Sequence, residues 1–269
     1  MKISVFSSDY NTIRCEIEKE VVKVFLNRPE VHNAFNDIMI KELLEVFRKL
    51  HDGGDARVVI LSGAGKSFCA GADLNWMKRV KDFSFEENLR ESIEISELMY
   101  SIYSLKLPTI ARVNGAAVGG GMGFVAACDI AVAASDARFS LSEVKLGLVP
   151  ACISPYVIRK AGEGACREFM LTGERLSADK AMRLGLVNEV AEPHRLDDAV
   201  STYVERLISS GPNAIAICKE LLRTVPAMSL DEAKRMTAEA IANLRVSDEG
   251  QEGMKAFLEK RKPGWFPEK

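Results

Sequence analysis

A chain of 269 residues with 47% hydrophobic and 28% charged side chains carries enough apolar material for one large core and is not disordered. Its formal net charge of −2 provides no general positive field for nucleic acid or an anionic membrane, so any anion must be gripped locally. No apolar run approaches the ~20 residues of a bilayer span and the first residues lack the apolar stretch of a secretory leader, so no membrane partner and a cytoplasmic location are expected.

Ile13, Cys15 and Ile17 alternate, a charged Glu18-Lys19-Glu20 follows, and Val22, Val24 and Leu26 resume the alternation, which predicts a hairpin. Asn27-Arg28-Pro29-Glu30 breaks it. Asn36 is placed as an N-cap, and Ile40, Leu43, Leu44, Phe47 and Leu50 recur at helical spacing until Gly53-Gly54. Residues 57–61 form a short apolar strand running into Gly65-Lys66-Ser67. A phosphate-binding loop of the P-loop kind would need glycine five residues before Gly65, where Ile60 stands. A small-residue turn follows at residues 68–74. Ser84 and Glu87 make a capping box for a helix expected to turn Leu89, Ile93, Leu98, Met99 and Ile102 inward and to end before Pro108.

Residues 109–113 read as a strand, broken at Asn114-Gly115, and Gly119-Gly120-Gly121 leads into a buried helix start at residues 122–127. Another strand spans residues 129–133, and the alternation of strands with helices predicts an α/β core. Beyond Pro150 the composition becomes helical. Ser177 caps one helix, Glu192-Pro193 breaks the chain, Ser229 and Glu232 make a second capping box, and the last helix ends in Lys260-Arg261-Lys262. The division expected is a core over residues 1–195 and a C-terminal helical region over residues 196–269.

Six scattered cysteines (Cys15, Cys69, Cys128, Cys152, Cys166 and Cys218), with no C-x-x-C pair, read as reduced core residues. The three histidines, His32, His51 and His194, lie far apart and no G-x-S-x-G is present, so neither a metal site nor a nucleophilic triad is expected. Chemistry concentrates instead at the glycine-rich turn. There the backbone can approach a ligand closely, and a helix start offers unpaired N–H groups to an anion, a phosphate or a transient enolate. Gly121, Gly123 and Ala126 also satisfy a dinucleotide fingerprint with Glu143 as the ribose acid. That fingerprint should follow a strand directly, whereas residues 115–119 intervene here. Glu143 stands between Leu141 and Val144 in an apolar stretch, where a carboxylate is costly unless hydrogen-bonded or used.

Several motifs occur together and in order: Asn27-Arg28-Pro29 with Asn33-Ala34-Phe35, residues 67–74 (SFCAGADL), residues 113–121 (VNGAAVGGG), Cys128-Asp129, Leu176-Ser177-Ala178, and residues 257–261 (FLEKR). Across essentially the whole chain this resembles the enoyl-CoA hydratase/isomerase family, the crotonases. The resemblance implies a spiral of ββα units with a C-terminal helical region used for oligomerisation, trimers or dimers of trimers, and an acyl-CoA thioester as substrate with no separate cofactor. It also implies an oxyanion hole made by the N–H groups of Ala72 and Gly120, in which one such donor is typically worth ~3 kcal/mol of barrier. The Ala70 carbonyl would meet the adenine amino group, the turn at Val31-His32 would line the CoA path, and Lys260 would reach the phosphates from the same or a neighbouring subunit.

Family hydratases carry two glutamates, and the second maps onto Glu143, whereas the first maps onto Gly123. A single carboxylate fits an isomerase, which moves a proton between carbons of one acyl chain. It also fits a hydratase in which Glu143 is base and then acid. Glu86, Glu87, Glu91 and Asp136 are candidate substitutes for the missing group. Residues 73–77 (DLNWM), the Gly-Gly-Gly-Met-Gly run, residues 141–148 and residues 150–155 (PACISP) resemble the hydratases of branched glutaconyl-CoA esters such as 3-methylglutaconyl-CoA and isohexenylglutaconyl-CoA. Lys78, Arg79 and Arg90 are candidate cations for a substrate carboxylate, and Trp76, Met77, Phe83, Met99, Ile153 and Tyr156 for the apolar lining. A CoA-binding protein without turnover on the same scaffold is the non-enzymatic alternative.

Overall fold

The computed structural model describes residues 10–266. The outer ends of the two expected regions, 1–195 and 196–269, and the start of the stretch read for a secretory leader lie outside those residues. The expected hairpin is β1 (Ile13–Glu18) and β2 (Val21–Leu26), antiparallel, with Lys19 in the left-handed region at the turn. Asn36 caps α1 (Asp37–His51) by accepting from the Met39 N–H, and the apolar stripe of that helix is buried. β3 (Val58–Gly63) is buried at every position, as expected for a strand paired in parallel on both sides. The following elements are α2 (Leu74–Val80), α3 (Phe85–Ser104), β4 (Thr109–Val113), β5 (Ala117–Val118), α4 (Gly120–Ala127), β6 (Ile130–Ala134) and β7 (Arg138–Ser140). After them come α5 (Ser154–Ala161), α6 (Glu163–Thr172), β8 (Arg175–Ser177), α7 (Ala178–Arg183) and β9 (Glu189–Ala191), then the helices α8 (Leu196–Ile208), α9 (Pro212–Thr224), α10 (Leu230–Val246) and α11 (Asp248–Leu258).

The strands sort into two sheets, a six-stranded one in the order β1-β2-β3-β4-β6-β9 and a three-stranded one in the order β5-β7-β8. Isolated parallel bridges, Cys69 with Ala117 and Phe35 with Ala72, extend the smaller sheet backwards along the chain. The architecture is therefore a spiral of ββα turns. β2, β3, β4 and β6 lie in the large sheet, and the segments at Phe35, Cys69–Ala72, β5 and β7 lie one above the next in the small one. Each turn then passes into a helix: α1, α2 with α3, α4 or α5. Adjacent turns are joined by Val118 N–H donating to the Cys69 carbonyl (2.9 Å) and Gly119 N–H donating to the Ser140 carbonyl (2.8 Å). Ala72 closes one small-sheet segment and Gly120 and Glu143 follow β5 and β7 by two and three residues, so stacking the turns brings three sequence-distant positions to one edge.

Both expected capping boxes are present, at Ser84 with Glu87 and at Ser229 with Glu232. The inward face of α3 is shorter than its periodicity predicts. Leu98, Met99 and Ile102 are fully buried, whereas Leu89 and Ile93 are 47% and 50% exposed, because the N-terminal half of the helix projects beyond the packed layer. The Gly65-Lys66-Ser67 loop is no phosphate cradle. Asn33 Nδ2 donates to the Ala64 and Ser67 carbonyls at 2.8 Å each, and Asn114 Nδ2 donates to the Gly65 carbonyl at 2.9 Å, which turns the loop in on itself. Of the C-terminal helices, α8 packs on β3, β4 and β6 and buries Leu196 and Val200, while α10 and α11 bury one alanine each, Ala233 and Ala256. No helix among the described residues is long and apolar enough to cross a membrane.

The turn before α2 is held by charge. Arg28 forms an ion pair with Asp73 (2.8 Å) and also donates to the Ala34 carbonyl (2.6 Å), and Asp73 caps α2 by accepting from the N–H groups of Asn75 and Trp76. Burial works against the Asp73 charge, but the Arg28 hydrogen bond and the two backbone donors outweigh it, so its carboxyl lies below the ordinary carboxylate range. A carboxyl whose folded pKa is depressed adds stability above its unfolded value of 3.8 that is lost as the pH falls through the folded value. Asp73→Ala strands a largely buried guanidinium and uncaps α2, and is expected to cost about 3 kcal/mol in urea denaturation at neutral pH. Asp73→Asn, which keeps a capping oxygen, should cost less, and the penalty of both should shrink in acid.

Candidate active site

Two backbone donors come from two turns of the spiral. The parallel bridge between Phe35 and Ala72 uses the Gly71 carbonyl and the Asp73 N–H, which leaves the Ala72 N–H directed away from Phe35 and without a hydrogen-bond acceptor among the described residues. Gly120 is the first residue of α4, where an N–H has no partner within the helix, and its N-cap, Gly119, has no side chain to offer. The two turns touch. A Cβ at Gly71, which has φ +93°, would lie 3.2 Å from the Val118 carbonyl oxygen, and one at Gly119 would lie 3.9 Å from the Gly71 Cα. Phe35 braces both: it is bridged to Ala72, and its ring lies so close to Gly120 that a Cβ there would be 2.7 Å from Cζ. Trp76 and Phe124 pack edge-on against the same ring, with centroids 5.6 and 6.0 Å away.

Glu143 opens the 3-10 turn Glu143–Leu146 that follows β7, a turn closed by Gly147 in the left-handed region and by Leu148 N–H donating to the Glu143 carbonyl (3.0 Å). Its side chain lies against the N-cap of α4, where a Cβ on Gly119 would be 3.1 Å from Oε1. With φ +53° and that carboxylate beside it, position 119 admits only glycine without strain. Glu143 Oε2 is the one fully buried side-chain nitrogen or oxygen without a hydrogen-bond partner among the described residues. Burial raises the carboxyl pKa above its ordinary value, only partly opposed by a hydrogen bond from the residue's own backbone. An unpaired, desolvated carboxylate one residue from a backbone donor can take a proton from a bound molecule while that donor holds developing negative charge.

Position 123, where the resemblance would place a second glutamate, is closed by packing. A Cβ on Gly123 would lie 2.8 Å from Ile153 Cβ, closer still to Ile153 Cγ2, and 3.3 Å from Met99 Cε. The turn that carries Ile153 is tied to α3 by Cys152 Sγ donating to the Ser92 carbonyl (3.4 Å). None of the substitute acids is recorded in contact with Glu143. Glu87 is engaged in its capping box, Glu91 accepts from Trp76 Nε1 (3.2 Å), Glu86 is exposed on α3, and Asp136 is exposed between β6 and β7. Of the candidate lining residues, Trp76, Met99, Ile153 and Tyr156 are buried and Met77 and Phe83 are half-buried. Arg79 is paired with Asp37 at 2.7 Å, while Lys78 and Arg90 are exposed on α2 and α3.

The candidate CoA positions divide. Val31, His32 and Ala70 come together: Val31 ends a 3-10 turn, His32 follows in the left-handed region, Ala70 N–H donates to the His32 carbonyl (3.0 Å), and His32 Nδ1 contacts Ser67 Oγ (3.1 Å). Lys260 has no contact with them among those seen for the described residues. It follows α11, in a segment anchored by Arg261 to Glu252 (2.6 Å) and by Trp265 Nε1 donating to the Ser209 carbonyl (3.3 Å). The Trp265 carbonyl in turn accepts from Arg57, at the start of β3, whereas Ala70 lies beyond the other end of that strand. The sequence alone does not reveal the Arg28–Asp73 pair or the Phe35 brace, although all three residues lie inside the quoted motifs. Nor does it reveal the occlusion of Gly123 by a side chain on a different turn, for which no local signal exists.

Residues 16–268 match the family described as Enoyl-CoA hydratase/isomerase. A short-chain-enoyl-CoA hydratase of Clostridium acetobutylicum is 34% identical over 94% of this chain and 97% of its own length. An (E)-benzylidenesuccinyl-CoA hydratase of Thauera aromatica is 32% identical over 94% of this chain and 98% of its own. The crystal structure of an enoyl-CoA hydratase from Shewanella pealeana superposes with a TM-score of 0.94 at 39% identity, covering 98% of this chain and all of that one.

Because the folded Glu143 pKa exceeds its unfolded value of 4.5, protonated Glu143 is tolerated below that pH, and stability is lost as the pH rises through the folded value. Glu143→Gln is therefore expected to raise the melting temperature near pH 7 by about 2 °C, with the gap closing in acid. Equal melting of the two proteins at neutral pH would show a solvated carboxylate and would remove the electrostatic reading of the site.

Proposed function

The chain belongs to the enoyl-CoA hydratase/isomerase family, and from that premise we propose that it is a hydratase adding water across the α,β double bond of an acyl-CoA thioester with Glu143 as its single acid–base group. The N–H groups of Ala72 and Gly120 hold the thioester oxygen. Glu143 takes a proton from a water molecule as the water oxygen bonds to the β-carbon, and the electron pair of the double bond moves onto the thioester as an enolate. The same carboxyl then returns the proton to the α-carbon on the same face, so one water is added and Glu143 is regenerated. The observation that carries this reading is the buried, unpartnered Oε2 of Glu143 beside the start of α4. A raised pKa suits a group that must act in turn as base and acid.

The acyl group proposed is a branched glutaconyl ester of the 3-methylglutaconyl or isohexenylglutaconyl type. The aliphatic Ile153 beside α4 supports an alkyl branch, and the exposed cations Lys78 and Arg90 supply partners for a distal carboxylate. The Ala70 carbonyl and the Val31-His32 turn receive the CoA moiety. The assembly proposed is a trimer or a dimer of trimers built on the region 196–269, in which Lys260 would serve a neighbouring subunit. Phe257 and Leu258, 82% and 80% exposed, give that region apolar surface to bury. An isomerase is the second reading, favoured by the closure of position 123 against a second carboxylate.

Mass spectrometry of acyl-CoA products formed in D2O separates these readings. Offered 3-methylglutaconyl-CoA, crotonyl-CoA and a 3-enoyl-CoA separately, the protein is expected to add one water to the methylglutaconyl ester fastest. Glu143→Ala should lose at least about a hundredfold in rate, the lower end for an acid–base group. Double-bond migration with deuterium uptake and no added water would make the protein an isomerase. CoA-ester binding with no turnover of any ester would make it a non-catalytic homologue.

A further inference from the structure

Besides the Cys69 backbone at Gly121, the start of α4 is crowded by a different side chain at three glycines: Glu143 at Gly119, Phe35 at Gly120 and Ile153 at Gly123. The first two belong to the donor and carboxylate machinery already described. The third does not, and it differs in kind, because neither the donors nor Glu143 require a bare backbone at position 123. Gly123 lies inside a helix with no positive φ, where glycine is the poorer choice and alanine would ordinarily stabilise. Some other constraint must keep a side chain out.

Ile153 supplies it. The residue is 4% exposed and stands at the start of α5, and its Cβ is only 2.8 Å from where a Cβ of residue 123 would be. Its backbone cannot easily yield. The Ser154 N–H donates to the Pro150 carbonyl (3.0 Å), Ser154 Oγ donates to the Ala151 carbonyl (2.9 Å), and Cys152 Sγ ties the turn to α3. Met99 Cε, the other neighbour, is the tip of a flexible side chain and could move aside.

We infer that Ile153 is the specificity-determining residue of this site: its side chain fills the volume that any side chain at position 123 would need, and so holds the cleft to the single carboxylate of Glu143. This rests on the hydratase reading above. On that reading Gly123 and Ile153 form a matched pair, and the loss of a second acid is built into the packing of α4 against α5. Ile153 touches no reacting atom, and it sets which groups can reach them.

The stability test needs no substrate. Gly123→Ala in the otherwise unchanged protein is expected to lower the melting temperature by several degrees, whereas in the Ile153→Gly background the same change should raise it by about 2 °C, since the helix preference for alanine is then unopposed. Gly123→Ala neutral or stabilising with Ile153 in place would overturn the inference. Activity on crotonyl-CoA tests its consequence. Gly123→Glu with Ile153→Gly should exceed Ile153→Gly alone by about tenfold or more in kcat/KM, as added acid–base assistance predicts, while Gly123→Glu alone should gain nothing. Equal gain with Ile153 retained, or no gain in the double variant that melts normally, would overturn the assignment. Should the unmodified protein hydrate no enoyl ester, the proposed function falls, while the inversion of the Gly123→Ala effect still decides whether Ile153 closes the position.

Discussion

The chemistry of this protein depends on stacking successive turns of the spiral so that their second segments pair in parallel. The bridges from Phe35 to Ala72, Cys69 to Ala117 and Ala117 to Phe139 set four segments side by side. A parallel bridge uses the N–H and C=O groups of the residues flanking its partner, so Ala72 itself is left with its N–H turned outward. The same hydrogen-bonding rule that builds the small sheet therefore creates one of the two donors. The other arises because the next segment runs directly into a helix whose first N–H can have no internal partner. Neither donor requires a particular side chain, only that nothing obstruct it, and this explains why small residues and glycine concentrate at residues 70–72 and 119–121.

Against those donors the fold sets a carboxylate at a cost. An oxygen with no partner in a desolvated position weakens the folded state whenever it is charged. Elsewhere the chain neutralises its partly buried charges: Asp73 has Arg28 and two backbone donors, and Asp129 accepts from the Thr109 N–H and hydroxyl and pairs with Lys219 (2.5 Å). Glu143 stands out because its Oε2 is buried without any such partner among the described residues. Burial raises the pKa of this carboxyl, as expected of a base kept out of water.

Much of this was legible in the sequence wherever the signal is local. The hairpin, the Asn36 cap, both capping boxes and the buried β3 follow from neighbours a few residues apart, and the motifs at residues 67–74 and 113–121 mark two turns that the fold brings into contact. Periodicity overextended the inward face of α3 because a pattern of leucine and isoleucine does not reveal where the layer it packs on ends, and Leu89 and Ile93 project past it. The brace of Phe35 on Gly120 and the wedge of Ile153 on Gly123 were not legible for a different reason. Each is a distance between turns of the spiral, set by how α1, α4 and α5 pack, and a single sequence records the missing Cβ without recording what displaced it.

The two ends of α4 complete the argument. Its sequence, GGMGFVAA, holds no side chain able to cap either terminus, and it is buried from Gly121 to Ala127. At the C-terminal end the chain provides a solution from outside the helix: Lys160 of α5 sends its ammonium to the Val125 and Cys128 carbonyls at 3.1 and 2.7 Å. Burial lowers that lysine's pKa to about 8, a measure of how unfavourable the location is for a charge, and the helix terminus is a reason to hold one there. The N-terminal end receives no equivalent group among the described residues, although Glu143, Phe35 and Cys69 all approach it closely. One terminus is satisfied by a buried cation while the other keeps N–H groups with no side-chain cap. The asymmetry leaves the start of α4, beside Glu143 and the Ala72 turn, with backbone donors that no side chain of the helix caps.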